Sequence, residues 1–381
     1  MKDLSLVVYE MQESSLNPIG IIQEYLSLSY SPIFDEVGSF MLTVPFSLET
    51  FDLVSRQDNC EKIIYLDDGY LGICHSIKCN LSEKDHIIKI KGTLAEGLLE
   101  NSVVNLVNIP KPTEIGYAKS IGTVISEKIE ADPYKTWWSG ISYSIDTAVP
   151  LEDGYQGGFC TYREFIENLC KYKNRGYALR FNSETNNFRL RILASSDRTV
   201  NQDLHPPVII SSDLSHIASS EFSMNSQNYK NVVVAFTRFT YNGAQTSTGV
   251  VVTYDEYPSI EDIPRKDIRA SFDEITLEEP EANPTDVRSW LRVEGKKLLY
   301  QYRLVKSYDC KLINPEGAFV FGRDYFLGDK ITLQDKELGL VLDAQLLEYT
   351  KTYSKNGEEF EPVFGFSQPT INRILKQKGV I

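Results

Sequence analysis

Apolar and polar residues alternate along much of this chain, which is the pattern of β-strands that bury one face. Such stretches lie at residues 4–9, 24–30, 38–45, 221–224, 231–236 and 248–254. Pro45 predicts the end of the third stretch, because a proline cannot donate a hydrogen bond within a sheet. The alternation therefore predicts a mainly antiparallel β protein in which helices are a minority.

A strand–turn–strand phrase occurs twice in the chain. Each copy, at residues 61–73 and 329–340, begins after an acidic residue and a lysine, turns on polar residues and leaves on Leu-Gly and an apolar residue. Each then continues into a long hairpin that closes on a glycine, Gly92 or Gly365. A β unit that is used twice predicts two related β-barrels in one chain.

Helical periodicity replaces the alternation after about residue 93. Residues 93–100 predict a short helix, and residues 111–129 predict a longer one. Thr161 and Glu164 have the spacing of a capping box and predict the start of a third helix. The apolar face predicted for that third helix consists of Phe165, Ile166, Leu169 and Cys170.

Three later segments complete the predicted elements. Residues 177–192 alternate around a polar turn and predict a hairpin whose arginines face solvent. Residues 255–286 hold 11 acidic residues against three basic ones and several prolines, which predicts an exposed loop or small excursion. Asn283-Pro284 predicts a further helix start, because proline fits the first helical turn.

These patterns predict a fold of class α+β, predominantly antiparallel β, with smaller α+β parts inserted between two related β regions. The predicted domains are 1–98, a first β-barrel; 99–212, an inserted α+β domain; 213–253 with 308–368, a second β-barrel; 254–307, an acidic loop and helix; and 369–381, a basic tail.

Composition and charge narrow the function classes. The 381 residues are 42% hydrophobic and carry a formal charge of −14, so a surface that binds nucleic acid by clustered lysine and arginine is not expected. The N-terminal sequence lacks the pattern of a secretory signal, and no apolar run reaches membrane-spanning length. We therefore expect folding in the cytoplasm, with the six scattered cysteines acting as small buried residues.

No enzymatic or cofactor motif with suitable spacing is present in the sequence. Cys74, His75 and Cys79 could be metal ligands, but they fall on a predicted strand and lack an evident fourth ligand. A second group, Ser211, Asp213 and His216, contains the residue types of a catalytic triad without any evidence of its geometry. We predict no catalytic, cofactor-binding or metal-binding residue.

Three other groups have both a functional and a structural interpretation. Asp67-Asp68-Gly69 is expected to form a turn rather than part of a pair of catalytic carboxylates. The acidic residues of 255–286 lack the regular spacing of a Ca²⁺ loop. Trp137-Trp138, with Tyr134 and Tyr143 nearby, could stack on a sugar, although core or interface packing is the preferred interpretation.

Several phrases, in this order, resemble the hub proteins at the tail tip of siphoviruses. A Gly-x-Phe-x-Leu-x-x-Pro signature matches residues 38–45, after Tyr30. The other matching segments are the helix from Thr161, the hairpin 177–192, Ser196-Asp197-Arg198-Thr199, the strand region 225–236, the box Arg323-Asp324-Tyr325-Phe326-Leu327-Gly328-Asp329-Lys330-Ile331 and the closing Pro362-Val363-Phe364-Gly365. A tryptophan often found before the first signature is missing, and serines replace the glycine before Asp197.

Such proteins are similar to the baseplate hubs of contractile tails and to the hub module of tail-associated lysins. The resemblance implies two tail-tube-like barrels per subunit and a homotrimer whose six barrels surround the DNA channel, in agreement with the internal repeat. It implies a structural virion protein, assembled in the host cytoplasm, with the distal tail protein and tail tube above, a tip fibre or lytic protein below, and only indirect contact with the host envelope.

The resemblance also sets expectations for the channel and for enzymatic activity. DNA would pass through the channel without specific binding, so we expect an acidic or neutral wall. Because the chain ends just after the region of resemblance, we expect any lytic activity to lie on a separate protein. The alternatives are a tail-associated cell-wall hydrolase, which a cell-wall clearing assay would detect, and a carbohydrate-binding tail protein, which a glycan array would detect.

Overall fold

The computed structural model describes most of the chain in segments. These are residues 4–12, 15–55, 61–82, 86–104, 107–109, 119–131, 150, 155–157, 160–172, 175–213, 217–241, 244–253, 264–272, 284–302, 304–312 and 319–365. The chain divides into a large compact unit, Met1–Glu221 with Tyr308–Gly365, and a small unit, Phe222–Ser307 with Phe366–Ile381. Across these segments, every helix is too short or too polar to cross a membrane.

The large unit begins with seven strands and one helix. They are β1 (Leu6–Gln12), β2 (Ser15–Ile22), β3 (Ser27–Ser31), β4 (Ser39–Pro45), α1 (Leu48–Ser55), β5 (Lys62–Tyr65), β6 (Leu71–Leu81) and β7 (His86–Leu94). The strands pair antiparallel in the order β3-β4-β7-β6-β5-β1-β2. Leu28, Tyr30, Phe40 and Leu42 are buried at alternate positions of β3 and β4, which confirms the predicted alternation.

The next stretch builds a second hydrophobic core within the large unit. The stretch contains a 3₁₀ helix (Ala95–Asn101), β8 (Val103–Val104), β9 (Val107–Ile109), α2 (Ile121–Glu130), β10 (Tyr155–Gly157), β11 (Cys160–Thr161), α3 (Tyr162–Tyr172), β12 (Gly176–Asn182), β13 (Asn187–Leu193), β14 (Asp197–Arg198) and β15 (Ile209–Ser211). The apolar faces of α2, α3 and the β12–β13 hairpin meet in this core.

Helix α3 has the start that its sequence predicts. The Glu164 amide donates to the Thr161 hydroxyl at 3.2 Å, and the Thr161 amide donates to the Glu164 carboxylate at 3.2 Å. This reciprocal arrangement is a capping box. The four residues predicted to be buried on α3, which are Phe165, Ile166, Leu169 and Cys170, are fully buried.

Two predictions in this region need correction. The helix predicted over 111–129 is observed from Ile121, where the Ser120 hydroxyl accepts a hydrogen bond from the Thr123 amide at 3.1 Å. Residues 110–118 lie outside the described residues. The hairpin is confirmed, but its arginines do not all face solvent, because the Arg180 guanidinium lies 3.1 Å from the centre of the Tyr70 ring.

The chain then forms β16 (Ile217–Asn225) and the separate sheet of the small unit. That sheet contains β17 (Val232–Tyr241), β18 (Ala244–Thr253) and β19 (Asp267–Phe272) in the order β18-β17-β19, followed by α4 (Pro284–Gln301). Helix α4 begins at the predicted proline and packs Val287 and Leu291 against Val233 and Ala235 of the sheet.

The last four strands return to the large sheet. They are β20 (Val305–Leu312), β21 (Lys330–Asp335), β22 (Leu340–Ser354) and β23 (Gly357–Gly365). The order is β16-β20-β23-β22, with β21 also paired to β22, and β22 pairs with β3 of the first half. A mostly antiparallel β architecture with few helices is therefore confirmed.

The two copies of the sequence phrase occupy equivalent places in this sheet. The first half has the strand order β3-β4-β7-β6-β5, and the second half has the order β16-β20-β23-β22-β21. The long central strand of each meander is interrupted at its middle, between Cys74 and Ser76 on β6 and between Leu346 and Glu348 on β22. The repeat in the sequence is thus a repeat of strand order, and we call the two sets the first and second repeats.

The structure pairs part of the 213–253 stretch differently from the prediction. That stretch was expected to join residues 308–368 in one barrel, but β17 and β18 pair with each other and with β19, whereas β16 joins β20. Part of the predicted acidic loop is strand β19, which pairs parallel to β17. Alternation predicts that a segment is a strand and leaves its partner undetermined, which explains the difference.

Candidate functional site

The cysteine and histidine candidates for metal binding lie along β6. Cys74 packs on the large core, and burial raises the pKa of its thiol to about 12, so it is neutral at physiological pH. The His75 ring shares a hydrogen bond with the Thr93 hydroxyl at 2.8 Å, and the Cys79 side chain is exposed. Across the described residues, no group of three or more His, Cys, Asp or Glu side chains has the geometry of a metal site.

The serine of the triad candidate contacts the aspartate at its backbone amide. Ser211 is buried at the end of β15, and its hydroxyl accepts a hydrogen bond from the Asp213 amide at 3.2 Å. His216 lies outside the described residues. The serine–aspartate contact is therefore that of a local turn rather than of a nucleophile with its base.

The Asp67-Asp68-Gly69 segment forms the turn between β5 and β6. Asp68 and Gly69 have φ angles of +49° and +76°, and the Tyr70 amide donates to the Asp67 carbonyl at 2.9 Å. Consecutive positive φ angles are typical of a tight hairpin turn. The other sequence candidates, which are Tyr134, Trp137, Trp138, Tyr143 and the acidic residues of 254–263 and 273–283, lie outside the described residues.

Two of the signature phrases meet at one buried contact, which we call the signature junction. Strand β14, carrying Asp197-Arg198, runs parallel to β21, so that Arg198 is the register partner of Ile331. The Arg198 Nε atom donates to the Asp329 carboxylate at 2.8 Å, and the side chain of Asp329 is only 4% exposed. The amides of Ser196 and Phe326 also donate to this carboxylate, each at 3.0 Å.

Asp329 is thus fully satisfied in a place where an unpaired charge would be costly. The one guanidinium and the two backbone amides each replace a contact with water that the buried carboxylate has lost. Thr332, the residue after Ile331 on β21, continues the link: its hydroxyl accepts from the Val200 amide at 3.1 Å and donates to Asp343 at 2.7 Å. The junction joins the inserted region to the second repeat.

Sequence reasoning missed the role of Phe34 at this junction. The amide of Phe34 donates to the Leu347 carbonyl at 2.8 Å, and its carbonyl accepts from the Tyr177 amide at 3.0 Å. Gly176 and Gly328 both lie so close to the Phe34 ring that a Cβ atom on either would overlap it. A phenylalanine in a Pro-x-Phe-Asp loop gave no periodic signal, so only the two glycines could have indicated a close approach.

The first repeat has its own buried ion pair at the equivalent place. Lys62, the first residue of β5, is 4% exposed and its ammonium contacts the carboxylate of Glu10, its register partner on β1. In the second repeat the acidic residue of the acid–lysine phrase, Asp329, is the buried one, and Lys330 is exposed. The same phrase therefore buries its base in one repeat and its acid in the other.

A cluster of buried tyrosines joins the two repeats, and we call it the tyrosine joint. The hydroxyls of Tyr70 and Tyr349 share a hydrogen bond at 2.7 Å, and Tyr353 donates to the Asp67 carboxylate at 2.5 Å. The Arg180 guanidinium covers the Tyr70 ring and donates to the Asp68 carbonyl at 3.0 Å. Burial raises the pKa of Tyr70 and of Tyr349, which keeps both hydroxyls protonated, so that either can donate the hydrogen bond they share.

The sheet also presents one continuous face on the side away from these buried groups, which we call the outer face. It crosses β20, β23, β22, β3, β4, β7 and β6, because the register aligns the non-buried positions of neighbouring strands and Lys311 of β20 contacts Glu359 and Glu361 of β23. Its centre is rich in hydroxyls: Ser27, Ser29, Ser31, Ser39, Thr43, Thr350 and Thr352. The charges towards its two sides are Lys78, Lys89, Lys91 and Lys311 with Asp309, Glu348, Glu359 and Glu361.

The sequence of this chain matches the model of a protein family. Residues 150–366 match the family model described as Siphovirus ReqiPepy6 Gp37-like protein. The match covers more than half of the chain and includes both halves of the signature junction. No curated protein matches the chain in sequence.

Three solved structures share the fold at 12% sequence identity each. The tail protein from Neisseria meningitidis MC58 has a TM-score of 0.56, covering 95% of this chain and 96% of that one. The 43 kDa tail protein of prophage MuSo2 from Shewanella oneidensis has a TM-score of 0.55, covering 95% and 98%. Prophage tail protein gp18 from Listeria monocytogenes EGD-e has a TM-score of 0.53, and the match covers 99% of this chain and 98% of that one. At this identity the likeness concerns the fold, which is that of phage tail proteins.

Proposed function

The chain belongs to the Siphovirus ReqiPepy6 Gp37-like family, and from this premise we propose that it is a non-enzymatic structural protein of a phage or prophage tail. In this proposal it forms a homotrimeric hub at the distal end of the tail, where it lines the DNA channel. The tail tube and distal tail protein lie above it, and a fibre or lytic protein lies below.

The observation that carries the proposal is the repeated strand order within one chain. Two sets of five strands, β3-β4-β7-β6-β5 and β16-β20-β23-β22-β21, share an order and an interruption in their central strand. Three copies of a chain with two such repeats contain six similar units around a threefold axis. A threefold hub of this kind matches a hexameric tube on one side and a threefold tip on the other. We propose that each repeat closes as a tube-like barrel within that ring.

The chemistry of the outer face supports its use as a channel wall. Hydroxyl side chains occupy its centre, and its four lysines are matched by four carboxylates. Lys311 is itself held by Glu359 at 2.6 Å, so its charge is compensated locally. A wall with no net positive charge gives the phosphates of DNA no clustered counter-charge, which favours passage over retention.

Light scattering coupled to size-exclusion chromatography tests the proposed assembly. A homotrimer gives a mass of about 130 kDa, three times the 43.3 kDa chain. The same sample is expected to show no cell-wall clearing and no retention of duplex DNA at physiological salt. A mass that stays at one chain across the whole concentration range would refute the hub, and clearing of cell walls by the purified chain would favour a hydrolase.

A further inference from the structure

The two repeats pair edge to edge inside one chain, and an equivalent pairing can be worked out for the contact between two chains. Within the chain, the far half of β22, the central strand of the second repeat, pairs antiparallel with β3, the first strand of the first repeat. The strand equivalent to β22 is β6, and the strand equivalent to β3 is β16. If the ring repeats one contact six times, β6 of one copy meets β16 of the next.

Both of these strands have an edge available for pairing. Beyond its interruption, β6 pairs with β7 on one side, and within the described residues no strand pairs with its other side. Strand β16 is the last strand in the sheet order and pairs with β20. The edge of a sheet presents unpaired backbone N–H and C=O groups that can pair with a further strand, so proteins normally cover or block such edges.

The charges along the two edges are complementary. Lys78 lies on the edge strand β6, with Lys89 and Lys91 beside it on the same face of β7. At the other edge, Glu221 of β16 lies close to Asp309 of β20, and burial together with Glu221 raises the pKa of Asp309. One oxygen of the Asp309 carboxylate is buried without a hydrogen-bond partner, which is costly unless a donor reaches it.

We propose that a second copy of this chain covers each edge, with β6 of one subunit adding to β16 of its neighbour and Lys78 facing the Glu221–Asp309 pair. This proposal rests on the trimeric hub and specifies its interface. Counted from the interruption, Lys78 occupies the place on β6 that Thr350 occupies on β22. Thr350 already makes the equivalent contact inside the chain, where it shares a hydrogen bond with Ser31 of β3 at 2.7 Å.

Head-to-tail pairing of two different edges explains why the assembly closes. A contact between unlike surfaces generates a ring when its rotation closes and a filament when it does not. The internal contact between β22 and β3 fixes the rotation from one repeat to the next, and an equivalent external contact would apply the same rotation between subunits. Charge complementarity then selects β16, rather than a second copy of β6, as the partner of β6.

Charge reversal tests the interface in the full-length chain. Lys78→Glu and Glu221→Lys are each expected to weaken the trimer by roughly tenfold or more in dissociation constant, because like charges then meet at the edge. The double variant is expected to recover trimers at lower concentration than either single variant. The matched controls are Lys336→Glu and Glu184→Lys, which reverse exposed charges elsewhere, and thermal unfolding confirms that every variant folds.

The outcomes separate this interface from the hub itself. A wild-type trimer that Lys78→Glu and Glu221→Lys weaken no more than the controls would overturn the proposed interface while the hub remains. A wild-type trimer with two weakened single variants and no recovery in the double variant would also overturn it. A wild-type chain that is monomeric at every concentration would refute the hub, and the interface with it.

Discussion

The two repeats have the same strand order but are anchored to their surroundings by opposite charges. In the first repeat, buried Lys62 pairs with Glu10, whereas exposed Glu61 stays at the surface. In the second repeat, buried Asp329 pairs with Arg198, and Lys330 is exposed. Sheet topology can thus be repeated while the ion pair that anchors the first strand is exchanged, provided that every buried charge has its partner.

The direction of the neighbouring strand accounts for this exchange. Strand β1 turns back into a hairpin with β2 and runs antiparallel to β5, so Glu10 lies directly opposite Lys62. Strands β14 and β15 arrive from the inserted region and run parallel to β21. The parallel approach brings Arg198 beside the turn before β21, where Asp329 is the residue within reach.

The largest expected effect comes from breaking the anchor of the second repeat. Asp329→Ala leaves Arg198 and two backbone amides without their acceptor, so we expect a loss of about 3 to 5 kcal/mol in the free energy of unfolding. Lys330→Ala, at the exposed neighbouring position, is the control and is expected to lose less than about 0.5 kcal/mol. Denaturant unfolding measures both values, and equal losses would contradict the assignment.

We expect a smaller loss from breaking the ion pair of the first repeat, because Asp329→Ala also leaves two backbone amides without their acceptor. Lys62→Met leaves the Glu10 carboxylate buried and should cost about 2 to 3 kcal/mol. Adding Glu10→Leu removes the stranded charge and should restore stability to within about 1 kcal/mol of wild type. A double-mutant cycle from denaturant unfolding checks this pattern, and additive losses in the double variant would show that the two side chains act independently.

The turns of the two repeats offer a finer comparison. Gly69 and Gly339 both have positive φ angles, so an alanine at either position is strained. A Cβ atom on Gly69 would also lie 3.0 Å from the Phe181 carbonyl oxygen, whereas the space around Gly339 is open. We expect Gly69→Ala to cost about 2 kcal/mol and Gly339→Ala about 1 kcal/mol. Thermal and denaturant unfolding rank the two variants, and the reverse order would refute the assignment.

The smallest effects concern pH, and they have opposite signs near the two repeats. Burial raises the pKa of Glu96, just after the first repeat, so the stability that this group contributes is full below about pH 4.5 and is lost as pH rises through its folded pKa. Burial would also raise the pKa of Asp335, at the end of β21, but hydrogen bonds from Tyr308, Leu338 and Ser220 lower it, so its contribution is lost as pH falls.

Conservative substitutions separate these two dependences. Glu96→Gln is expected to gain stability relative to wild type between pH 4 and pH 7, because the amide has no charge to bury. Asp335→Asn is expected to lose stability relative to wild type as pH rises through the acidic range up to about pH 4, because the folded pKa of Asp335 lies below its ordinary value of 3.8. The free energy of unfolding at several pH values provides the comparison, and parallel curves for the two variants would contradict the opposite signs.

Local features of the fold were predictable from sequence. The capping box at Thr161, the hairpin 177–192 and the alternation of β3 and β4 depend on residues close together in the chain, and the structure confirms them. The repeat was also visible, because each copy retains its acid–lysine start and its Leu-Gly exit. Patterns of this kind report which face of a segment is buried.

Contacts between distant segments were not predictable in the same way. Arg180 was expected in solvent by its place in the alternation, yet the Tyr70 ring and the Asp68 carbonyl hold it in the tyrosine joint. The partners of β17 and β18, and the choice between burying a lysine or an aspartate at each anchor, depend on which strand arrives alongside. Strand partners and buried charges depend on tertiary contacts, which neither hydrophobic periodicity nor β-propensity predicts.

Imaging of assembled particles along their symmetry axis tests whether three chains with two repeats each form a near-sixfold ring. We expect closed rings of three chains in which six similar densities surround a central channel, with the two repeats of each chain in alternating positions. Particles that are single chains, or rings in which each chain contributes only one density to the wall, would contradict the claim that the internal repeat converts threefold into near-sixfold symmetry.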